Sequence, residues 1–191
     1  ALLAKVSSRT RLVFLANPNN PTGSYLTGTE LRRLHAGLPL DCILVIDAAY
    51  AEFVSAADYS DGLELVREFQ NVVMCRTFSK LFGLAALRLG WLVAPPAIVD
   101  VLNRVRGPFN VGTAAQVAGI AALEDVEHQD LARRHNDRWL PWLAAELAAT
   151  GLKVHPSVGN FLLVEFPHEA GRDSAAALAA LERNGLIPRA M

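Results

Sequence analysis

Apolar positions in the first half of the chain come in short, uninterrupted blocks separated by polar punctuation. Leu12 to Ala16, Ile43 to Ile46 and Val72 to Cys75 are apolar runs of strand length, suited to buried strands. A longer run, Leu87 to Ala94, is closed by Pro95-Pro96 and predicts a fourth strand. Between the first two runs, Thr27 with Glu30 reads as a capping box opening a helix through Ala36, and Gly37 followed by Pro39 stops it. A second helix near Asp61 to Phe69 leads into Val72. Strand, helix and strand in this order describe an α/β layer architecture with βαβ crossovers.

From Thr113 onward the pattern changes to long, alanine-rich helical stretches, broken near Asp125 to Glu127 and at Pro141. Lys153 to His155 and Phe161 to Phe166 then read as strands, and Ser174 to Asn184 as an amphipathic helix with Gly185 as its stop. The expected organisation is a large α/β part over residues 1–112, a linking helical region over 113–150 and part of a smaller domain over 151–191.

The ends of the three buried runs carry chemistry. The first stops at Asn17-Pro18-Asn19-Asn20-Pro21-Thr22-Gly23, where two Asn-Pro steps force a turn. The second ends in Asp47-Ala48-Ala49-Tyr50, a carboxylate and a phenol at a strand terminus, where open α/β sheets bind ligands. The third runs into Thr77-Phe78-Ser79-Lys80, with Arg88 a few residues on. A lysine in such a pocket can lose its proton and attack a carbonyl, while two hydroxyls and a guanidinium make a phosphate cradle. An aldehyde that carries a phosphate satisfies both. Taken singly, Asp47 could equally be a turn former and Asn17 to Gly23 simply a good turn.

In this order, the Asn-Pro-Thr-Gly turn, the Asp-x-Ala-Tyr segment and Ser79-Lys80-x-x-Gly83-Leu84-x-x-x-Arg88-x-Gly90 resemble fold-type I pyridoxal-phosphate aminotransferases. Together with Arg106-Gly107-Pro108-Phe109-Asn110-Val111 they are similar to the histidinol-phosphate aminotransferase family. The resemblance implies a mostly parallel mixed sheet with its last strand antiparallel, followed by a smaller α+β C-terminal domain. It corresponds to the middle and later part of the family's chain, so a truncation at both ends is expected. A glycine-containing phosphate loop, a ring-stacking aromatic and a late substrate arginine would lie beyond these residues.

By the same resemblance, Lys80 binds the aldehyde of pyridoxal 5'-phosphate, Asp47 pairs with its pyridinium nitrogen, and Asn20 and Tyr50 hydrogen-bond its phenolic oxygen. Thr77, Ser79 and Arg88 hold its phosphate. Arg189 matches an arginine near the substrate's phosphate end, although by itself it reads as an exposed residue before a terminus. Asn20 also faces substrate, and Asn110 and Asn160 fall near the site entrance. The implied reaction is a two-half transamination of histidinol phosphate with 2-oxoglutarate, with ping-pong kinetics, in a homodimer. The alternatives are an aromatic amino-acid aminotransferase, less so a threonine-phosphate decarboxylase, or a non-catalytic module on the same fold.

Composition narrows rather than redirects this picture. A chain of 191 residues that is 52% hydrophobic with a formal net charge of -1 offers no general attraction for nucleic acid or anionic membranes. Cys42 and Cys75 sit in apolar runs as small buried hydrophobes, with no metal expected. His128 and His135 lie two turns apart on one helical face, too far for one ion and suited to the surface. No apolar stretch is long enough to span a membrane, and the start lacks the layout of a secretory signal, so a cytoplasmic enzyme is the expectation.

Overall fold

Three parallel strands and one antiparallel strand form the main sheet. The computed structural model describes residues 2–189 and 191. Its elements are β1 (Leu12–Ala16), α1 (Gly28–Ala36), β2 (Ile43–Asp47), α2 (Leu63–Glu68), β3 (Val72–Thr77), β4 (Gly90–Val93), α3 (Pro96–Val105), α4 (Thr113–Glu124), α5 (Val126–Ala149), β5 (Lys153–Val154), β6 (Val164–Glu165) and α6 (Ser174–Arg183). The sheet order is β1-β2-β3-β4, and β5 pairs with β6 in a separate two-stranded sheet. β1, β2 and β3 are parallel, in a register that sets Ala16 beside Asp47 and Asp47 beside Cys75. β4 runs antiparallel to β3, as the resemblance implies.

The capping box at α1 is present in both directions: Glu30 N–H donates to the Thr27 hydroxyl, and Thr27 N–H donates to the Glu30 carboxylate. α1 buries Leu31 and Leu34 against the sheet, where they join Leu44, Ile46, Leu65, Val72 and Met74 in one core.

Three expectations need correction, and one helix adds to them. The strand read over Leu87 to Ala94 begins only at Gly90, because Ala85–Leu87 is a 3-10 turn and Arg88 is left-handed at φ 51°. The helix α3 was not foreseen, although Pro96 in its first turn is a start signal. Pro141 does not break α5, which runs through it; both Pro141 and Asp137, whose carbonyl loses its helical partner, are exposed, so water can satisfy that carbonyl. The strand read over Phe161 to Phe166 shortens to Val164–Glu165, extended by one bond from His155 N–H to Leu163 C=O, since Phe161 turns toward Tyr50 instead. At α6 the expected stop holds, with Gly185 at φ 78° and Leu186 N–H returning to Leu181 C=O.

Candidate active site

The sheet brings the three punctuated strand ends to one edge. Past β1, Asn17 N–H donates to Asp47 C=O at 2.9 Å, and past β2, Ala48 N–H donates to Cys75 C=O at 2.9 Å, so the ladder continues into the turns. Asn17 is fully buried and its amide is saturated: Nδ2 donates to the carbonyls of Leu26 (3.1 Å) and Ser60 (3.0 Å), while Oδ1 accepts from Leu26 N–H (2.7 Å). Its carbonyl accepts from the Tyr59 hydroxyl at 2.8 Å, a phenol whose pKa burial pushes far up. Sequence reasoning took this Asn only as part of a turn. It is the buried bolt that fixes where Asn20 emerges.

Asn20 Nδ2 donates to the Tyr50 hydroxyl at 2.8 Å, and the Lys80 ammonium lies 5.0 Å from the centroid of the Tyr50 ring. Residues 30 and 60 positions from Asn20 thus meet in one constellation. Tyr50 is buried, whereas Asn20, Asp47 and Lys80 are exposed, so a phenol anchored in protein presents its hydroxyl among solvent-facing groups. The Asp47 carboxylate accepts from Ala49 N–H at 3.2 Å. Its strand neighbour Cys75 is half-buried, and burial, then the Asp47 charge, raise the thiol pKa; this cysteine is held as a neutral thiol.

The Lys80 turn is tightly formed. Thr77 Oγ1 accepts from Ser79 N–H (3.0 Å), Gly83 N–H closes on Lys80 C=O (3.0 Å), and Gly83 takes φ 70°. Arg88 is one of two non-glycine residues with positive φ among the described residues, a conformation that costs on the order of 1 kcal/mol and that the surrounding fold must impose. Its guanidinium is exposed and donates one bond to Ala85 C=O (2.8 Å).

A cavity of about 610 Å³ opens beside Lys80, walled by α5 residues including His135, Asn136 and Trp139, and by Asn160 and Phe161. The Phe161 ring meets Tyr50 edge-on at 5.1 Å. Asn160 therefore shares a cavity with Lys80. His128 and His135 are exposed as expected, but both line this cavity, a placement that their sequence spacing does not reveal. Arg189 is exposed and lies outside it, and Asn110 is exposed, accepting from Arg106 Nη1 at 2.8 Å.

The family model for aminotransferase class I and II matches residues 1–190. The chain belongs to this family. Its curated relatives include histidinol-phosphate aminotransferases of Paramagnetospirillum magneticum, 58% identical over 190 residues, and of Rhodospirillum centenum, 58% identical over 191 residues; each match covers 100% of this chain and 52% of the relative. The solved histidinol-phosphate aminotransferase of Sinorhizobium meliloti in complex with pyridoxal-5'-phosphate superposes with a TM-score of 0.84 at 30% identity, over 94% of this chain and 48% of that one. The chain thus spans about half the length of the relatives it matches, and its α/β architecture is that of the fold-type I aminotransferases. Among the described residues, no helix is long and apolar enough to cross a membrane, and no cluster of metal-ligating side chains occurs.

Proposed function

We propose that the complete protein transfers an amino group from histidinol phosphate to 2-oxoglutarate, yielding imidazole-acetol phosphate and glutamate, with pyridoxal 5'-phosphate held at the Lys80 site. One observation carries the reading: Lys80, Tyr50 and Asn20, from three separate strand ends, meet within hydrogen-bond and cation-π reach of one another. The donor set also suits the cofactor, with an amine for its aldehyde, a carboxylate for its pyridine nitrogen, a phenol and an amide for its phenolic oxygen, and hydroxyls with a guanidinium for its phosphate. When bound, that group supplies an acceptor for the electrons left behind by a departing α-proton.

In this scheme Asp47 holds a proton on the ring nitrogen, because a carboxylate beside it favours the charged form. Asn20 and Tyr50 orient the ring and tune the basicity around Lys80. Thr77, Ser79 and Arg88 retain the phosphate, and the Lys80 amine takes the α-proton and returns it. Asn160 and Asn20 face the substrate, and Arg189 supplies the cation for its phosphate end once the remainder of the chain is in place. The names of the relatives support the substrate pair. We further propose a homodimer, and a division of this chain into a large-domain part (1–112), a linking helical region (113–150) and part of a small domain (151–191).

A second reading, an aromatic amino-acid aminotransferase, is favoured by one feature: Trp139, Phe161 and several leucines give the Lys80 cavity an apolar wall suited to an aromatic donor. Steady-state kinetics of the complete protein separate the two. The proposal expects histidinol phosphate to be preferred, and Arg189→Ala to raise its KM much more than that of phenylalanine or tyrosine. Equal losses for both donors, or a wild-type preference for tyrosine, would favour the second reading.

A further inference from the structure

We propose that Glu52 is a positioning residue of this site: its side chain grips Arg76 and its carbonyl grips Arg133, fixing the turn that carries Tyr50 against the turn that carries Lys80. The inference rests on the role given above to Tyr50.

Glu52 follows Tyr50 by two residues, in a 3-10 turn closed by Phe53 N–H on Tyr50 C=O at 3.1 Å. Its Oε1 accepts from Nε of Arg76 at 3.1 Å and pairs with the charge on Nη2 at 3.0 Å. Arg76 stands next to last in β3, four residues before Lys80. Its other edge donates from Nη1 to Asp61 at 2.6 Å, and its guanidinium carbon lies 5.6 Å from the centroid of the Trp91 ring on β4. A guanidinium held on two edges and one face is a stiff anchor, and a carboxylate docked on it inherits that stiffness.

The main-chain oxygen of Glu52 also accepts from Arg133 Nε at 3.3 Å, and Arg133 is itself held by Asp130 at 2.9 Å. Arg133 lies on α5, whose next turn supplies His135, Asn136 and Trp139 to the cavity beside Lys80. One residue therefore joins the β2 turn, the end of β3 and the cavity wall. The turn so held carries the Tyr50 hydroxyl that meets Asn20 at 2.8 Å, a bond that a displacement of about 1 Å would abolish.

Stability alone does not account for this arrangement. The Glu52 side chain is only 7% exposed, and its Oε2 has no hydrogen-bond partner among the described residues. Burying an ion pair with a spare carboxylate oxygen gains little over an apolar side chain of similar size. What the pair adds is direction.

The test uses the complete protein loaded with pyridoxal phosphate, and reads three quantities: the pH midpoint of the visible absorbance of the bound cofactor, its dissociation constant, and the melting temperature of the cofactor-free protein. Tyr50→Phe should move the pH midpoint by about half a unit or more, and Glu52→Ala should move it in the same direction. The double variant should match Tyr50→Phe alone, since both changes act through one hydroxyl. Glu52→Gln should restore most of the wild-type midpoint, because its amide oxygen still accepts from Arg76. Cofactor affinity in Glu52→Ala should fall roughly three- to tenfold, as expected for loss of one oriented hydrogen bond. If Tyr50→Phe shifts the midpoint while Glu52→Ala lowers only the melting temperature, the proposal is overturned and the role of Tyr50 stands. An unshifted midpoint in Tyr50→Phe overturns both. Should Glu52→Ala fail to fold, Arg76→Lys, which keeps the charge but loses the fork, must shift the midpoint in the same direction; a wild-type midpoint there overturns the proposal.

Discussion

The sheet and the helical half of the chain are built differently. Around β2 and β3, Leu31, Leu44, Ile46, Leu65, Val72 and Met74 are completely buried, while the edge strands β1 and β4 contain no buried residue. By contrast α3, α5 and α6 contain no buried residue, and α4 buries only Ala115 and Gly119. Val117, Ile120, Leu123 and Trp142 are exposed. The candidate site residues Asp47, Tyr50, Thr77, Ser79 and Lys80 all stand on the well-packed half. The helical half reaches this part through a few contacts: Val158 N–H to Gly23 C=O at 2.9 Å, Arg133 to Glu52, and Phe161 against Tyr50. The lesson is a division of labour. Within this chain, which spans about half the length of its relatives, the candidate groups stand on the densely packed part and the helical part touches it through few contacts.

The largest effect should come from the sheet core. Ile46→Ala removes a fully buried side chain and should destabilise the 191-residue chain by about 2–5 kcal/mol, measured by chemical denaturation. A loss below 1 kcal/mol there would erase the contrast between the halves. Gly23→Ala should rank second. Gly23 takes φ 71°, and a Cβ added to it would collide with the side chain of Ser157 and come within 2.7 Å of its Cα. Strain and overpacking together should cost roughly 1–3 kcal/mol. Hydrogen exchange should speed up at residues 156–163 more than in β2, because the substitution strikes the joint between the halves. Leu123→Ala on the outer face of α4 should have the smallest effect, within about 0.5 kcal/mol in the same chain.

The contrast also explains what could be read from the residues alone. Uninterrupted apolar runs of strand length made β1, β2 and β3 legible almost to the residue, although β1 buries none of its residues and leaves Phe14 71% exposed, and the turn residues that follow the runs drew attention to Asn20, Asp47, Tyr50 and Lys80. Local backbone chemistry likewise disclosed the capping box at Thr27 and the stop at Gly185. The run at Leu87 misled because an apolar stretch says nothing of Arg88 adopting a left-handed conformation. Pro141 misled because tolerance of proline depends on whether the orphaned carbonyl meets solvent, a tertiary property. Glu52, Arg76 and Arg133 stayed hidden because each is an unremarkable charge in its own segment and acquires a role only across 24 to 81 positions of sequence separation. The same holds for Phe161, whose ring packs on Tyr50 only after the chain has traversed α5.

The proposed site makes Lys80, where the strand ends converge, the residue that takes pyridoxal phosphate. Borohydride reduction of the cofactor-loaded complete protein, followed by peptide mapping, tests it most directly. A phosphopyridoxyl label is expected on the peptide that contains Lys80, with Lys5 and Lys153 unmodified. A label on either of those lysines, with Lys80 recovered intact, would contradict it.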